Sequence, residues 1–128
     1  AAIRAAGVPI GLWLNWGRSA IELRDADAVT AQIAEAAASG LLVGLTFSGA
    51  AAAQSPYGPP WADAHLPIAS THPESGSLLD DAHVAAALAA AGDVEWLGLK
   101  TARRPDDITA ADALRTVTRN LEVVRAAG

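Results

Sequence analysis

Three short stretches of this chain repeat one pattern: Ile10-Gly11-Leu12-Trp13-Leu14-Asn15, Val43-Gly44-Leu45-Thr46-Phe47-Ser48 and Trp96-Leu97-Gly98-Leu99-Lys100. Each is an apolar run that holds a Gly-Leu pair and reaches a polar residue near its C-terminal end. Side chains along a strand alternate between faces. Aligned on the glycines, one face carries Leu12 and Leu14, then Leu45 and Phe47, then Leu97 and Leu99. The other carries Gly11, Trp13 and Asn15, then Gly44, Thr46 and Ser48, then Trp96, Gly98 and Lys100. The first face suits packing under helices. The second turns polar at the strand ends, where parallel β/α proteins put their chemistry.

The intervening segments read as helices. Residues 1–6 look like the last turns of one, stopped by Gly7, before a strand over 9–15 and a loop from Trp16 to Glu22. A helix is expected from Asp25, a good N-cap, to Ser39, with Gly40 as its stop and Val29 and Ile33 on its apolar stripe. After strand 41–47, the stretch 48–79 is rich in Gly, Pro, Ser and His; it is too long for an ordinary connection and reads as functional or partly disordered. Asp80 or Asp81 opens a helix through Val84 and Leu88 to Gly92. Strand 94–100 follows, and Thr109 with Asp112 forms a capping-box variant that opens the last helix, striped by Leu114, Val117, Leu121 and Val124.

One domain over 1–128 is therefore expected, of class α/β, with β/α units near 9–39, 41–91 and 94–127. Such alternation means a parallel sheet with right-handed crossovers. Three strands cannot close a (β/α)8 barrel. Two architectures remain open, a sector of a TIM barrel whose other strands lie upstream, and a small open sheet. Glycines inside the strands favour the barrel, whose interior layers need small residues. The chain lacks methionine, even at position 1, and opens within a helical pattern, so a piece of a longer polypeptide is expected.

Composition narrows the function classes. Net charge is −5, and no Lys/Arg cluster exists beyond Arg103-Arg104, which argues against a nucleic-acid partner. No apolar run approaches the roughly 18 residues of a membrane span, and no signal peptide is visible. The absence of cysteine removes disulfides, thiol catalysis and Cys-based zinc sites. A cytoplasmic protein is expected.

Three groups of residues could carry chemistry. Asn15 ends its strand facing inward, followed by Trp16 and Arg18; the guanidinium can fork onto a carboxylate or phosphate, or simply pair with Glu22 or Asp25. Ser48 leads into a stiff loop that holds Trp61, Asp63 and His65. An Asp-x-His pair can present a carboxylate and an imidazole to one point for metal binding or acid–base work, and it also occurs as an ordinary surface pair. Lys100 shares a face with Asn15 and Ser48 and suits a substrate oxygen, a proton-transfer role, or a rim position paired with Asp106. His72 and His83 read as solvated.

The runs Asn15-Trp16-Gly17-Arg18-Ser19-Ala20-Ile21-Glu22, Phe47-Ser48-Gly49-Ala50, Pro56-Tyr57-Gly58 and Trp61-Ala62-Asp63-Ala64-His65 resemble a bacterial family described as a domain of unknown function. That family is placed among the xylose-isomerase-like TIM barrels, with sugar isomerases, sugar-phosphate epimerases and endonuclease IV. The resemblance covers essentially the whole chain and implies the C-terminal three β/α units of a barrel. Members of the wider group bind divalent metal through carboxylates and histidines at strand ends. Here Asn15-x-x-Arg18 stands where Asp-x-x-His is usual, and Lys100 where a metal-binding Glu is usual. Only Asp63-x-His65 matches the pattern of the endonuclease IV branch.

The resemblance and the residues together lead to one expectation. Proton transfer of the isomerase or epimerase type on a small hydroxylated or anionic sugar would use His65, Lys100 and Asp63 as catalytic groups. Asn15, Trp16, Arg18, Ser48 and Trp61 would contact the substrate. No cofactor is expected, and a divalent metal only through residues upstream of this chain. The partner would be the rest of the barrel or a second copy. The alternative is a non-catalytic carbohydrate-binding or scaffold protein whose metal site has degenerated.

Overall fold

The computed structural model describes residue 5 and residues 7–128; apart from residue 5, the helix end expected at 1–6 lies outside the described residues. The expected strands form as β1 (Leu12–Asn15), β2 (Leu42–Phe47) and β3 (Trp96–Leu99), in the order β1-β2-β3. Both pairings are parallel, with Asn15 beside Thr46 and Thr46 beside Gly98. The helices are α1 (Trp16–Leu23), α2 (Ala28–Ala38), α3 (Asp81–Ala91) and α4 (Ala110–Ala127). None of the described helices is long and apolar enough to cross a membrane.

Helix α1 corrects the expected loop at 16–22. The Asn15 side chain caps it, accepting from the Arg18 backbone N–H at 3.2 Å. Trp16 and Ala20, four apart, are both fully buried. Four-residue spacing places them on one helical face, so a polar-looking stretch with a hidden apolar pair forms a helix directly at the strand end. Asp25 contributes as expected at the next helix: its carboxylate accepts from the N–H groups of Asp27 and Ala28, although the formal cap position of α2 is Asp27. At α4 the expected capping box is complete, with Thr109 and Asp112 each bonding the other's backbone.

One face of the sheet is the core. Leu45 and Phe47 are fully buried there, packed with Trp16, Val29, Ile33, Val84, Ala87 and Val124, with Leu14 and Leu99 alongside. Burial of each large apolar side chain contributes about 1.5–3 kcal/mol. The other face is bare. Trp13 and Trp96 lie on it, 52% and 54% exposed. Their rings stack at 6.4 Å between centroids and 15° between planes. The Trp13 indole N–H donates to Thr46 Oγ1 at 2.6 Å. Gly44 makes the arrangement fit, because a Cβ there would sit 2.6 Å from the Trp13 ring.

The segment 48–79 is built into the domain. Gly49 and Leu66 exchange backbone hydrogen bonds at 2.7 and 3.0 Å. Leu66, Ile68 and Leu79 are buried. The fully buried Asn120 of α4 accepts from the Ile68 N–H at 2.6 Å, so a long polar-looking connection is pinned by its few apolar residues and one amide. His72, expected in solvent, is buried. The Thr71 hydroxyl gives its proton to the Ile68 carbonyl, so at 2.7 Å it accepts from the His72 Nδ1–H. Burial, helped by nearby Arg104, holds the His72 pKa below the ordinary histidine value, as suits a neutral interior ring.

The apolar stripe expected along α4 is covered only toward its C-terminal end. Val124 is buried, whereas Leu114 and Val117 face solvent.

Candidate functional site

The C-terminal end of the sheet is where the sequence places its polar residues, and three β/α connections meet there. Asn15 and Ser48 are brought together: the Ser48 hydroxyl, itself buried, donates to Asn15 Oδ1 at 2.8 Å. That oxygen also caps α1, so one amide joins β1, β2 and the helix start. Gly17 allows the close approach, since a Cβ at that position would lie 2.4 Å from the Ser48 carbonyl oxygen. The sequence offered no sign that this glycine matters.

Arg18 projects from α1 over the mouth. Its Nε lies 3.0 Å from Glu22 and its Nη1 3.4 Å from Asp63, and all three side chains are substantially exposed. The hydrogen bond and charge of Glu22, with the charge of Asp63, raise the Arg18 pKa further above its usual value. The geometry is that of the pairing expected with Glu22 on its own helix, extended to Asp63 of the loop.

The loop crosses the mouth in an unusual backbone state. Trp61 and His65 have φ of +59° and +54°, and Arg24, the C-cap of α1, has +54°. A non-glycine residue in that region costs about 1–2 kcal/mol, and such strain collects at functional sites. Contacts hold the loop in place. The Trp61 N–H donates to the Ala51 carbonyl, and the Arg24 guanidinium lies 5.5 Å from the Trp61 ring centroid. The His65 carbonyl accepts from the Ala102 N–H at 2.7 Å, which ties the loop to the connection after β3. Arg104 adds a second tie by pairing with both Glu74 and Asp106 at 2.9 Å.

Asp63 lies between the two strained residues and pairs with the second, His65. His65 Nδ1 is 3.1 Å from Asp63 Oδ1, but this buried nitrogen has no aligned hydrogen-bond partner. The contact is therefore close without being a formed hydrogen bond. The imidazole is mostly shielded and the carboxylate is about half exposed.

Two expected members stand apart. Trp16 is fully buried in the core, which removes it from any surface that could stack on a sugar. The capping position of Asn15 explains this, because the first residue of α1 turns back under the sheet end. Lys100 is exposed at the rim, held only through its backbone N–H to the Phe47 carbonyl, with no ion pair among the described residues. Its suggested partner Asp106 is taken by Arg104.

The site fits a divalent metal poorly. Among the described residues no three His, Asp or Glu side chains converge on one point, and Asp63 faces the Arg18 guanidinium. A cleft of about 710 Å³ lies elsewhere, between α3 and α4, with Ser70, Asp81, Arg119 and Glu122 on its walls. Ser70 and Asp81 bond to each other there.

Fold and site together define a parallel α/β protein with a polar mouth at the C-terminal strand ends. Residues 1–116 match the model of the family described as domain of unknown function DUF4862, and the chain belongs to that family. No curated protein and no solved structure matches the chain.

Proposed function

We propose that the chain is a sector of a xylose-isomerase-like (β/α)8 barrel and that its mouth performs proton transfer on a small hydroxylated sugar or sugar phosphate. The bare sheet face supports the barrel reading. It alternates large and small residues in rows, Trp13-Gly44-Trp96 and then Asn15-Thr46-Gly98. Tapered barrel interiors are filled by side-chain layers of this kind. Leu97 on the open edge strand and Leu114 on α4 are further apolar surface that adjoining β/α units would cover.

The observation that carries the chemistry is the strained loop that holds His65 beside Asp63 at the mouth. Asp63 would stabilise the protonated ring, and His65 would move a proton between adjacent carbons of the sugar. His65 takes the proton from the hydroxyl-bearing carbon next to the carbonyl, giving an enediolate, and returns it to the neighbouring carbon while the hydroxyl proton passes to the former carbonyl oxygen. Lys100 at the rim would offset the developing oxyanion charge. Asn15, Arg18 and Trp61 would orient the substrate; Ser48, buried, would hold Asn15 in place, and Trp16 has no place in that set.

Carbon-bound hydrogen exchange in deuterated water, followed by NMR over a panel of sugars and sugar phosphates with the full-length protein, tests this. Exchange that falls by about 10²-fold or more in His65→Ala supports it. Binding without exchange supports the non-catalytic carbohydrate-binding alternative, which the pairing of Arg18 with Glu22 and Asp63 favours.

A further inference from the structure

His83 was expected in solvent, but its ring is largely shielded and sits between two carboxylates and an indole. It lies in the first turn of α3. Its Nδ1 is 2.8 Å from Oδ1 of Asp80, the α3 cap, and its Nε2 is 3.1 Å from Oδ1 of Asp27, at the start of α2. The ring meets Trp16, the first residue of α1, edge to face at 5.4 Å. These are the charged or aromatic groups that face it from its own helix, from α2 and from α1.

A neutral imidazole has one N–H and one lone pair, whereas the protonated ring has two donors. Two carboxylate oxygens within hydrogen-bond reach of the two nitrogens are both satisfied only by the protonated ring. The two partners differ in how firmly they are held. Asp80 is fixed because the same oxygen accepts the His83 backbone N–H at 2.8 Å. That bond is the main reason its pKa lies below the usual carboxylate range. Asp27 makes no cap bond with its side chain and is almost fully exposed. Loss of the ring proton would therefore release Asp27 first.

We propose that protonated His83 is a positioning residue: it clasps the start of α2 to the start of α3, seats Trp16 beneath α1, and so sets the Asn15 cap at the mouth. The clasp joins the N-terminal ends of three helices through one ring. Its link to function rests on the placement of the mouth given above, but the clasp itself does not.

The test is a pH titration of the ¹⁵N-labelled full chain between about pH 5 and 8, the range in which histidines change charge. Long-range ¹H–¹⁵N spectra report both His83 ring nitrogens, and the indole N–H resonance reports Trp16. The expected result is a Trp16 shift that follows the His83 ring signals across the titration. His83→Gln should abolish the Trp16 shift. A Trp16 resonance that stays still while His83 titrates, or that shifts equally in His83→Gln, overturns the proposal. The wild-type titration decides alone if that variant does not fold. No substrate is involved, so a protein that passes this test yet exchanges no carbon-bound hydrogen retains the clasp and loses the proton-transfer reading.

Discussion

The two faces of the sheet are made by alternate residues of the same three strands, yet they differ in kind. Leu45 and Phe47 are sealed under α2 and α3, while Thr46 between them looks out with Trp13 and Trp96. Strand periodicity separates the two sets, but periodicity does not say what covers each. The helix side is closed by connections within the chain. The tryptophan side has an ordered surface, with a stacked ring pair, a hydrogen bond to Thr46 and a glycine shaped to the indole, but no cover among the described residues. This ordered apolar face is the one that the barrel proposal takes as its interior.

The largest effect that sharpens this contrast is expected from Phe47→Ala. Its ring is fully buried, and truncation of such an aromatic costs about 3–5 kcal/mol. Urea unfolding followed by circular dichroism measures it; a loss below about 1 kcal/mol would mean the helix-covered face is not the core.

Gly17→Ala comes next. The added methyl group meets the Ser48 backbone carbonyl, which cannot swing away. Overpacking of this kind costs about 1–3 kcal/mol. The same substitution should separate Asn15 from Ser48, visible as a changed Asn15 side-chain amide resonance. An unchanged amide and unchanged stability would remove the account of how the mouth is assembled.

Gly44→Ala on the bare face should cost least in this chain. The methyl group would first meet the Trp13 ring, which is half exposed and can turn outward. A small loss, under about 1 kcal/mol and below that of Gly17→Ala, is expected in the same unfolding assay. A cost as large as that of Gly17→Ala would mean that the Thr46 hydrogen bond and the Trp96 stack hold Trp13 against turning.

Much of the fold was legible because its signals are local. Gly40 and Gly92 adopt positive φ where helices were expected to stop, and Thr109 with Asp112 caps where a helix was expected to start. Strand alternation correctly put Leu14, Leu45, Phe47 and Leu99 on one side. What misled were residues whose role depends on distant partners. Trp16, expected to contact substrate, is buried in the core, and His83, expected in solvent, is largely shielded, its ring edge to face with Trp16. His72 in a Ser/Pro/Glu setting looks solvated, yet the apolar residues around it carry it inside. At the site, the approach of Asp63 to Arg18 spans 45 positions and rests on backbone strain at Trp61 and His65, which no pattern of residue types displays.

The most direct test of the central claim, that the tryptophan face is an interior face, is the stability cost of Trp13→Ala measured in the full-length polypeptide. If further β/α units close over that face, the loss should match that of a buried aromatic, about 3–5 kcal/mol, and rival that of Phe47→Ala in the same protein. A loss under about 1 kcal/mol, the usual range for a solvent-facing position, would contradict the barrel and leave a small open sheet.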